Sequence, residues 1–272
     1  MIDATAPGTR RARILKRLRQ EGRVSLAELA SEHAVSPVTV HRDLQLLSEE
    51  GLLERVRGGA RSLPDPPAQI ETGWNARLRE AAPEKDAIAA AARELIEDGS
   101  TIFIDASSTG LALAHAIEVR PPADLTLVTN SPAIALGLSA ASIHVIVAPG
   151  ELDQHMRVLT GRWTIDFLAR LTFSTAFVSA AGISLGQGLT TSRSGLADTL
   201  NTAADSAERV VGLMDSTKFE RSSLMTIRSA TALDLIITDD RLDPALVAAF
   251  RAAGVNLQVV SGVAEANDAE AD

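Results

Sequence analysis

Cysteine and tyrosine are both absent from the 272 residues, and aromatic side chains amount to only 3%, as 2 Trp and 6 Phe. The first absence removes disulfides, thiolate nucleophiles and Cys-based zinc sites together. The shortage of aromatics weakens any scheme built on stacking, such as a single-stranded nucleic-acid platform or a sugar-stacking groove. Long apolar runs are missing too. No stretch of 18 residues passes without polar interruption, and MIDATAPGTRRARILKRL at the start holds no apolar core for a secretory signal. A cytoplasmic protein with no membrane partner is expected. What is present, 46% hydrophobic and 22% charged residues with 18 Gly and 11 Pro, is the composition of a globular chain, long enough for one large domain or two modest ones.

The net charge of -9 argues against general attraction to DNA, but it is an average over unlike parts. Residues 1–62 carry 11 basic and 8 acidic side chains, whereas residues 63–272 carry 15 and 27. Arg10, Arg11, Arg13, Lys16, Arg17 and Arg19 crowd into one short stretch. Taken alone, that cluster fits a solvated helix face equally well.

Ile14, Leu15 and Leu18 share a helical face, which Gly22 ends. Ser25 with Glu28 forms a capping box for a second short helix. Ser36 caps a third, Pro37 takes its first position, and Val40, Leu44 and Leu47 follow at helical spacing until Gly51. Leu52 to Arg57 then reads as a strand with Arg55 and Arg57 outward, before Gly58-Gly59 turns the chain. Three short helices and a hairpin outline a winged helix-turn-helix, a shape that fits a helix to the major groove and a hairpin to the backbone. Off the apolar stripe of the third helix stand Pro37, Thr39, His41, Arg42 and Gln45. A small helical module that docks to protein is the alternative.

RSLPDPPAQIETG over residues 61–73, with three Pro, is the best linker candidate. A helical pattern runs from Trp74 to 98, interrupted at Pro83. Beyond it, short apolar runs alternate with helical stretches: 101–104, 125–128, 143–147, 175–178, 210–213, 235–237 and 257–260. Strands of this kind are covered on both faces, so a mostly parallel α/β sheet is expected. The division expected is a DNA-binding-like domain at 1–62, a linker and the start of a connecting helix at 63–80, an α/β domain at 81–262, and an acidic tail at 263–272.

Ligands of open parallel sheets bind beyond the carboxyl ends of the strands. Asp105-Ala106-Ser107-Ser108-Thr109-Gly110 offers three hydroxyls and successive amides just before a helix, an anion cradle that ordinary N-capping would also explain. It lacks the lysine and spacing of a Walker loop and the dinucleotide fingerprint, so no nucleotide cofactor is expected. Thr129-Asn130-Ser131, Ala181-Gly182 and Gly188-Leu189-Thr190-Thr191 add small and hydroxyl-bearing groups, and Asp215 to Lys218 adds a carboxylate and an ammonium. Together these suit a phosphorylated sugar or polyol. Isomerisation of such a ligand would need a general base, for which Asp105, Asp198 and Asp215 are the carboxylates available. His33, His41, His115, His144 and His155 form no convincing triad or metal cluster, so neither catalysis nor a metal is expected.

Val35-Ser36-Pro37-Val38-Thr39-Val40-His41-Arg42-Asp43-Leu44, followed by Gly58-Gly59-Ala60, resembles the signature of the DeoR family of bacterial transcriptional regulators. The resemblance extends over residues 84–260. It implies a repressor of carbohydrate catabolism that binds duplex operator DNA, assembles as a dimer or tetramer, and carries a sensor domain similar to ribose-5-phosphate isomerase (three-layer, Rossmann-like). The sensor's strand-end elements fall on Asp105 to Thr109, Thr129 to Ser131, Ala181-Gly182, Gly188 to Thr191 and Asp215 to Phe219. Three positions depart from the pattern: His41 stands for the usual Arg, Pro149-Gly150 for a Gly pair, and Leu200 for a frequent Lys. Arg193 and Lys218 are then the cations expected to hold the effector, with Gly150 on one side of the pocket.

Overall fold

Residues 10, 14, 17–18, 23–33, 35–49, 53–56, 58–61 and 73–261 are those described by the computed structural model. Contacts divide the chain into two units, Met1–Glu71 and Thr72–Asp272.

In the first unit, strand β1 (Arg23–Ser25) leads into helix α1 (Leu26–Glu32), helix α2 (Pro37–Glu49) and strands β2 (Glu54–Val56) and β3 (Gly59–Arg61). The Ser25 hydroxyl accepts a hydrogen bond from the Glu28 amide, and the Ser36 hydroxyl accepts one from the Thr39 amide at 3.2 Å, so both caps act as their residue types predict. Ile14, Leu18, Leu29, Val40, Leu44 and Leu47 close one apolar core. The three strands form an antiparallel sheet in the order β1-β3-β2. β1 is not legible in the sequence, because three residues with a single buried side chain, Val24, carry no periodic signal. A Cβ at Gly59 would lie 2.0 Å from the Val24 carbonyl oxygen, so the hairpin crosses β1 only where a side chain is missing.

The second unit opens with α3 (Trp74–Arg79) and α4 (Ala82–Arg93), two helices where the sequence pattern suggests one reaching 98. They are broken at Ala81, whose φ of 51° lies in the left-handed region, and Pro83 sits in the first turn of α4. Then come β4 (Thr101–Ile104), α5 (Ser108–Val119), β5 (Leu125–Thr129), α6 (Pro132–Gly137) and β6 (Ile143–Val147). A hairpin, β7 (Glu151–Asp153) and β8 (Val158–Thr160), precedes α7 (Arg162–Leu168) and β9 (Thr175–Val178). The remainder is β10 (Gly182–Ser184), β11 (Gly188–Thr191), α8 (Ser194–Asp205), β12 (Val210–Leu213), β13 (Met225–Arg228), β14 (Leu235–Asp239), α9 (Pro244–Ala252) and β15 (Leu257–Val260).

Seven of these strands make one parallel sheet in the order β15-β14-β12-β9-β4-β5-β6. Side chains alternate across it: Phe103 points into the core shared with Leu168, Leu200 and Phe250, while Ile102 and Ile104 point into the core shared with Ile88, Leu113 and Ile134. Helices therefore cover both faces, and all seven strands lie where the apolar runs put them. From β4 the chain steps outward to β5 and β6, then returns to β9 on the other side of β4, which makes the β4–β9 boundary the topological switch point. An antiparallel sheet, β10-β11-β13, and the β7-β8 hairpin go beyond the elements expected from sequence. Gly188 to Thr191, read from sequence as a loop, is a buried strand of the former. Among the described residues, no helix is long and apolar enough to cross a membrane.

Candidate functional site

A cleft of about 200 Å³ opens at the switch point. Asp105 and Ser107, just beyond β4, form one wall, and Ser179 to Ala181, just beyond β9, form the next. Asp105 ties the two strand ends together: Oδ2 accepts from the Ser179 amide at 2.9 Å, and Oδ1 accepts from the Ser107 hydroxyl at 2.6 Å. Its carboxyl is buried, and burial pushes its pKa above the ordinary aspartate value, opposed by the hydrogen bonds from Ser107 and Ser179 and by the charge of Arg77. Lys218 enters from the short 3-10 turn after β12, and Thr191 from the end of β11.

The three hydroxyls expected to form one cradle part company. Ser107 caps α5, its oxygen accepting from the Gly110 amide at 2.8 Å while its hydroxyl donates to Asp105. Ser108 lies one step round the helix and lines a different depression with Lys85 and His115. Thr109 is buried and lines neither. Consecutive residues at a helix start point about 100° apart, so one loop cannot aim all three side chains at one ligand.

Several other expected contacts are engaged in holding the fold. Thr129, Asn130 and Ser131 are fully buried: Thr129 accepts from the Ser131 amide, Ser131 caps α6, and Asn130 donates to the Leu159 carbonyl. Gly150 meets Thr160 and Thr164, whose hydroxyl would stand 2.2 Å from an added Cβ, and so serves close backbone packing. Gly182, Gly188 and Thr190 knit β10 to β11, Thr190 donating to the Gly182 carbonyl. Asp215 is buried and accepts from the Thr217 amide at 3.1 Å, bracing the turn that carries Lys218. Ala181, Thr191 and Lys218 do reach the cleft, and Arg193 stands in an adjoining depression of about 310 Å³, 3.6 Å from Asp153. Leu200, at the departing position, is a core residue rather than a cleft residue.

Two wall elements are not expected at the site from sequence. Arg77 comes from α3, where the sequence predicts the start of a connecting helix but no ligand contact, and Met156 and Val158 come from the β7-β8 hairpin. The cations Arg77, Lys85 and Lys218 stand near the carboxylates Asp105 and Asp215. Burial lowers the pKa of Lys85, the nearby Asp215 opposing and Lys218 and Arg77 reinforcing the shift. Among the described residues, no group of His, Asp and Glu is arranged to hold a metal.

In the first unit, α2 buries Val40, Leu44 and Leu47 and exposes Pro37, His41, Arg42 and Gln45. Ser36 and Thr39 bond one another, hydroxyl to hydroxyl at 2.9 Å, as part of the cap. Val38, not singled out from the sequence, is 74% exposed on this face, and its methyls are chemically suited to a thymine methyl. Arg10 departs from its expected role. It is buried, with its Nε 2.6 Å from Asp43 Oδ2, so it braces the first unit's core instead of reaching outward. Arg55 is half-buried on β2, and Arg11 and Arg57 lie outside the described residues.

A winged helix with outward cations, joined in one chain to a parallel sheet with a ligand cleft at its switch point, defines a ligand-responsive DNA-binding regulator. The chain belongs to the DeoR family: residues 10–65 match the DeoR-like helix-turn-helix domain and residues 80–240 the DeoR C terminal sensor domain. The HTH-type transcriptional regulator GolR of Listeria innocua is 31% identical over 93% of this chain and 98% of that protein. The glycerol-3-phosphate regulon repressor of Escherichia coli K12 is 31% identical over 83% and 88%, and the HTH-type transcriptional regulator IolR of Bacillus subtilis 32% over 82% and 87%. Ribose 5-phosphate isomerase A from Neisseria gonorrhoeae aligns at 16% identity and a TM-score of 0.38 over 52% of this chain and 54% of that one, too slight a likeness to bear on chemistry.

Proposed function

We propose that this chain is a transcriptional repressor of carbohydrate catabolic genes that binds duplex operator DNA through residues 1–62 and a phosphorylated sugar or polyol through residues 81–262, without turning the ligand over. The carrying observation is the cleft at the β4–β9 switch point, where Lys218, Arg77 and the hydroxyl-bearing Ser107, Ser179 and Thr191 line a space of about 200 Å³ in a chain of net charge -9. Ser107, Ala181, Thr191 and Lys218 are the contacts assigned there, with Asp105 accepting from a ligand hydroxyl and Arg193 meeting any part that extends into the adjoining depression. Pro37, Thr39, His41, Arg42 and Gln45 are the groups assigned to DNA. The chain acts as a homo-oligomer, dimer or tetramer, so that paired units meet paired half-sites. The names of the relatives support the reading, one being a repressor of a glycerol-3-phosphate regulon.

Regulation requires the ligand to bind two states of the protein unequally. A coupling of about 1 to 3 kcal/mol changes DNA affinity roughly 5- to 150-fold. Thermal unfolding against paired phosphorylated and unphosphorylated sugars and polyols tests the site, since a ligand at one hundred times its Kd stabilises by about 2.7 kcal/mol. Stabilisation by phosphorylated members alone is expected. Equal binding of both forms overturns the anion assignment, and steady interconversion of a sugar phosphate by the protein overturns the non-catalytic reading.

A further inference from the structure

Arg77 stands on α3, the first described helix after the DNA-binding unit in chain order, and lines the cleft. Among the described residues it makes no ion pair. Its guanidinium donates a long hydrogen bond, 3.5 Å, to the Met156 carbonyl and lies 5.4 Å from the centre of the Trp74 ring. Burial holds its pKa below the ordinary arginine value, with Asp105 and Asp153 opposing. A half-buried guanidinium held by one long bond and a ring face has donors to spare for an anion, and its planar fork matches a phosphoryl group in two places.

The C-terminal half of α3 is fastened, beginning at the backbone of Arg77 itself. Lys85, buried in the first turn of α4, donates from Nζ to the carbonyl of Arg77 at 2.5 Å and to that of Glu80. A six-residue helix held from the Arg77 carbonyl onward leaves Gly73 and Trp74, before it, to answer a pull on the Arg77 guanidinium. That end continues directly into the chain leading to the DNA-binding unit.

We propose that Arg77 is the anion receptor of the cleft and that its capture by a phosphoryl group is passed along α3 to the chain joining the two units. The proposal rests on the reading that the cleft takes a phosphorylated ligand. Arrival of the anion replaces the Met156 bond with a charge-assisted pair and draws the guanidinium off Trp74, so ligand occupancy becomes a displacement of α3.

The molecule carries its own reporter. The chain has two tryptophans, and Trp163 is 70% exposed while Trp74 is buried beneath Arg77. In full-length W163F, titration with inorganic phosphate should change Trp74 emission saturably, with the same midpoint as calorimetry. R77Q in that background should bind phosphate about 10-fold more weakly or worse and lose the emission change, while R77K, which keeps the charge but not the fork, falls between. Amide exchange over residues 73–80 should respond to phosphate in the parent and not in R77Q. Phosphate binding of parental affinity in both variants overturns the role of Arg77 while leaving the cleft reading intact. Binding that is lost in R77Q with no change in exchange over 73–80 in the parent overturns the relay. No calorimetric binding by the parent overturns the cleft reading and this proposal with it.

Discussion

The recognition helix and the sensor cleft present polar side chains in opposite ways. On α2, Pro37, His41, Arg42 and Gln45 stand exposed beside an apolar stripe that does all the packing. At the cleft, most candidate groups are buried and bonded to the protein itself, as with Asp105 to Ser107 and Ser179, or Ser131 to the first turn of α6. A groove-reading helix needs only a surface, so its function is written in its periodicity. A small-molecule site needs walls, and walls at strand ends must first satisfy the backbone they terminate. Polar residues in such loops are therefore structural more often than their chemistry suggests.

The contrast is sharpest where the first unit breaks it. Arg10 and Asp43 are a buried pair on the DNA-binding side, and Asp43→Ala takes the buried carboxylate from it. Loss of about 3 to 5 kcal/mol from the first unit is expected, read as an early melting transition with the second unit unaffected. An exposed arginine at position 10 would instead give a change within the error of the melt.

On the cleft side, Lys218→Ala should weaken a phosphorylated ligand by about 1 to 3 kcal/mol, with a reduced dependence on salt in the variant. Ser108→Ala should leave that affinity unchanged, because Ser108 faces the depression beside Lys85 instead. Calorimetry on both variants separates a cleft aimed by Ser107 from one aimed by the whole loop. Equal losses would restore the single cradle that the sequence suggests.

Arg42→Ala tests the exposed side. If Arg42 meets a phosphate, affinity should fall similarly on all operator variants, and the slope of log K against log salt should shrink by about 1. A loss confined to one base pair assigns it to a base edge. His41→Arg, adding a fixed charge beside it, should raise affinity by a smaller factor and steepen the same slope.

The buried carboxyl of Asp105 gives the smallest effect. Because burial raises its pKa in the folded protein, the stabilisation from its protonated form is complete below the ordinary aspartate range and lost as pH rises through the raised value. Asp105→Asn should flatten that decline in melting temperature as pH rises above the ordinary aspartate range. A parallel decline in the variant would assign it to other groups.

The sequence carries the seven parallel strands and the caps at Ser25 and Ser36 because each rests on local chemistry: a continuous apolar run, or a hydroxyl before a helix. It does not carry β1, β7, β8, β10, β11 or β13, three- and four-residue strands without a continuous apolar run, several of them paired with partners distant in the chain. Part of the cleft is equally hidden. Arg77 lies on a helix the sequence does predict, but nothing local says that α3 folds against α5 or that its arginine comes near Asp105. Position along the chain places Ser107, Thr191 and Lys218 at strand ends, but which hydroxyl turns inward depends on helix phase and on neighbours brought by tertiary packing.

Ser25 closes β1 and opens α1, and the amide of the next residue, Leu26, donates to the carbonyl of Gly58 at the tip of the hairpin, 2.9 Å away. Hairpin and helix pair are thus tied at one residue among the described ones. Such a reader meets the duplex as a rigid template, so any misfit between groove and backbone spacing falls on the DNA. Operators whose steps bend or twist cheaply will be preferred even at base pairs that no side chain touches.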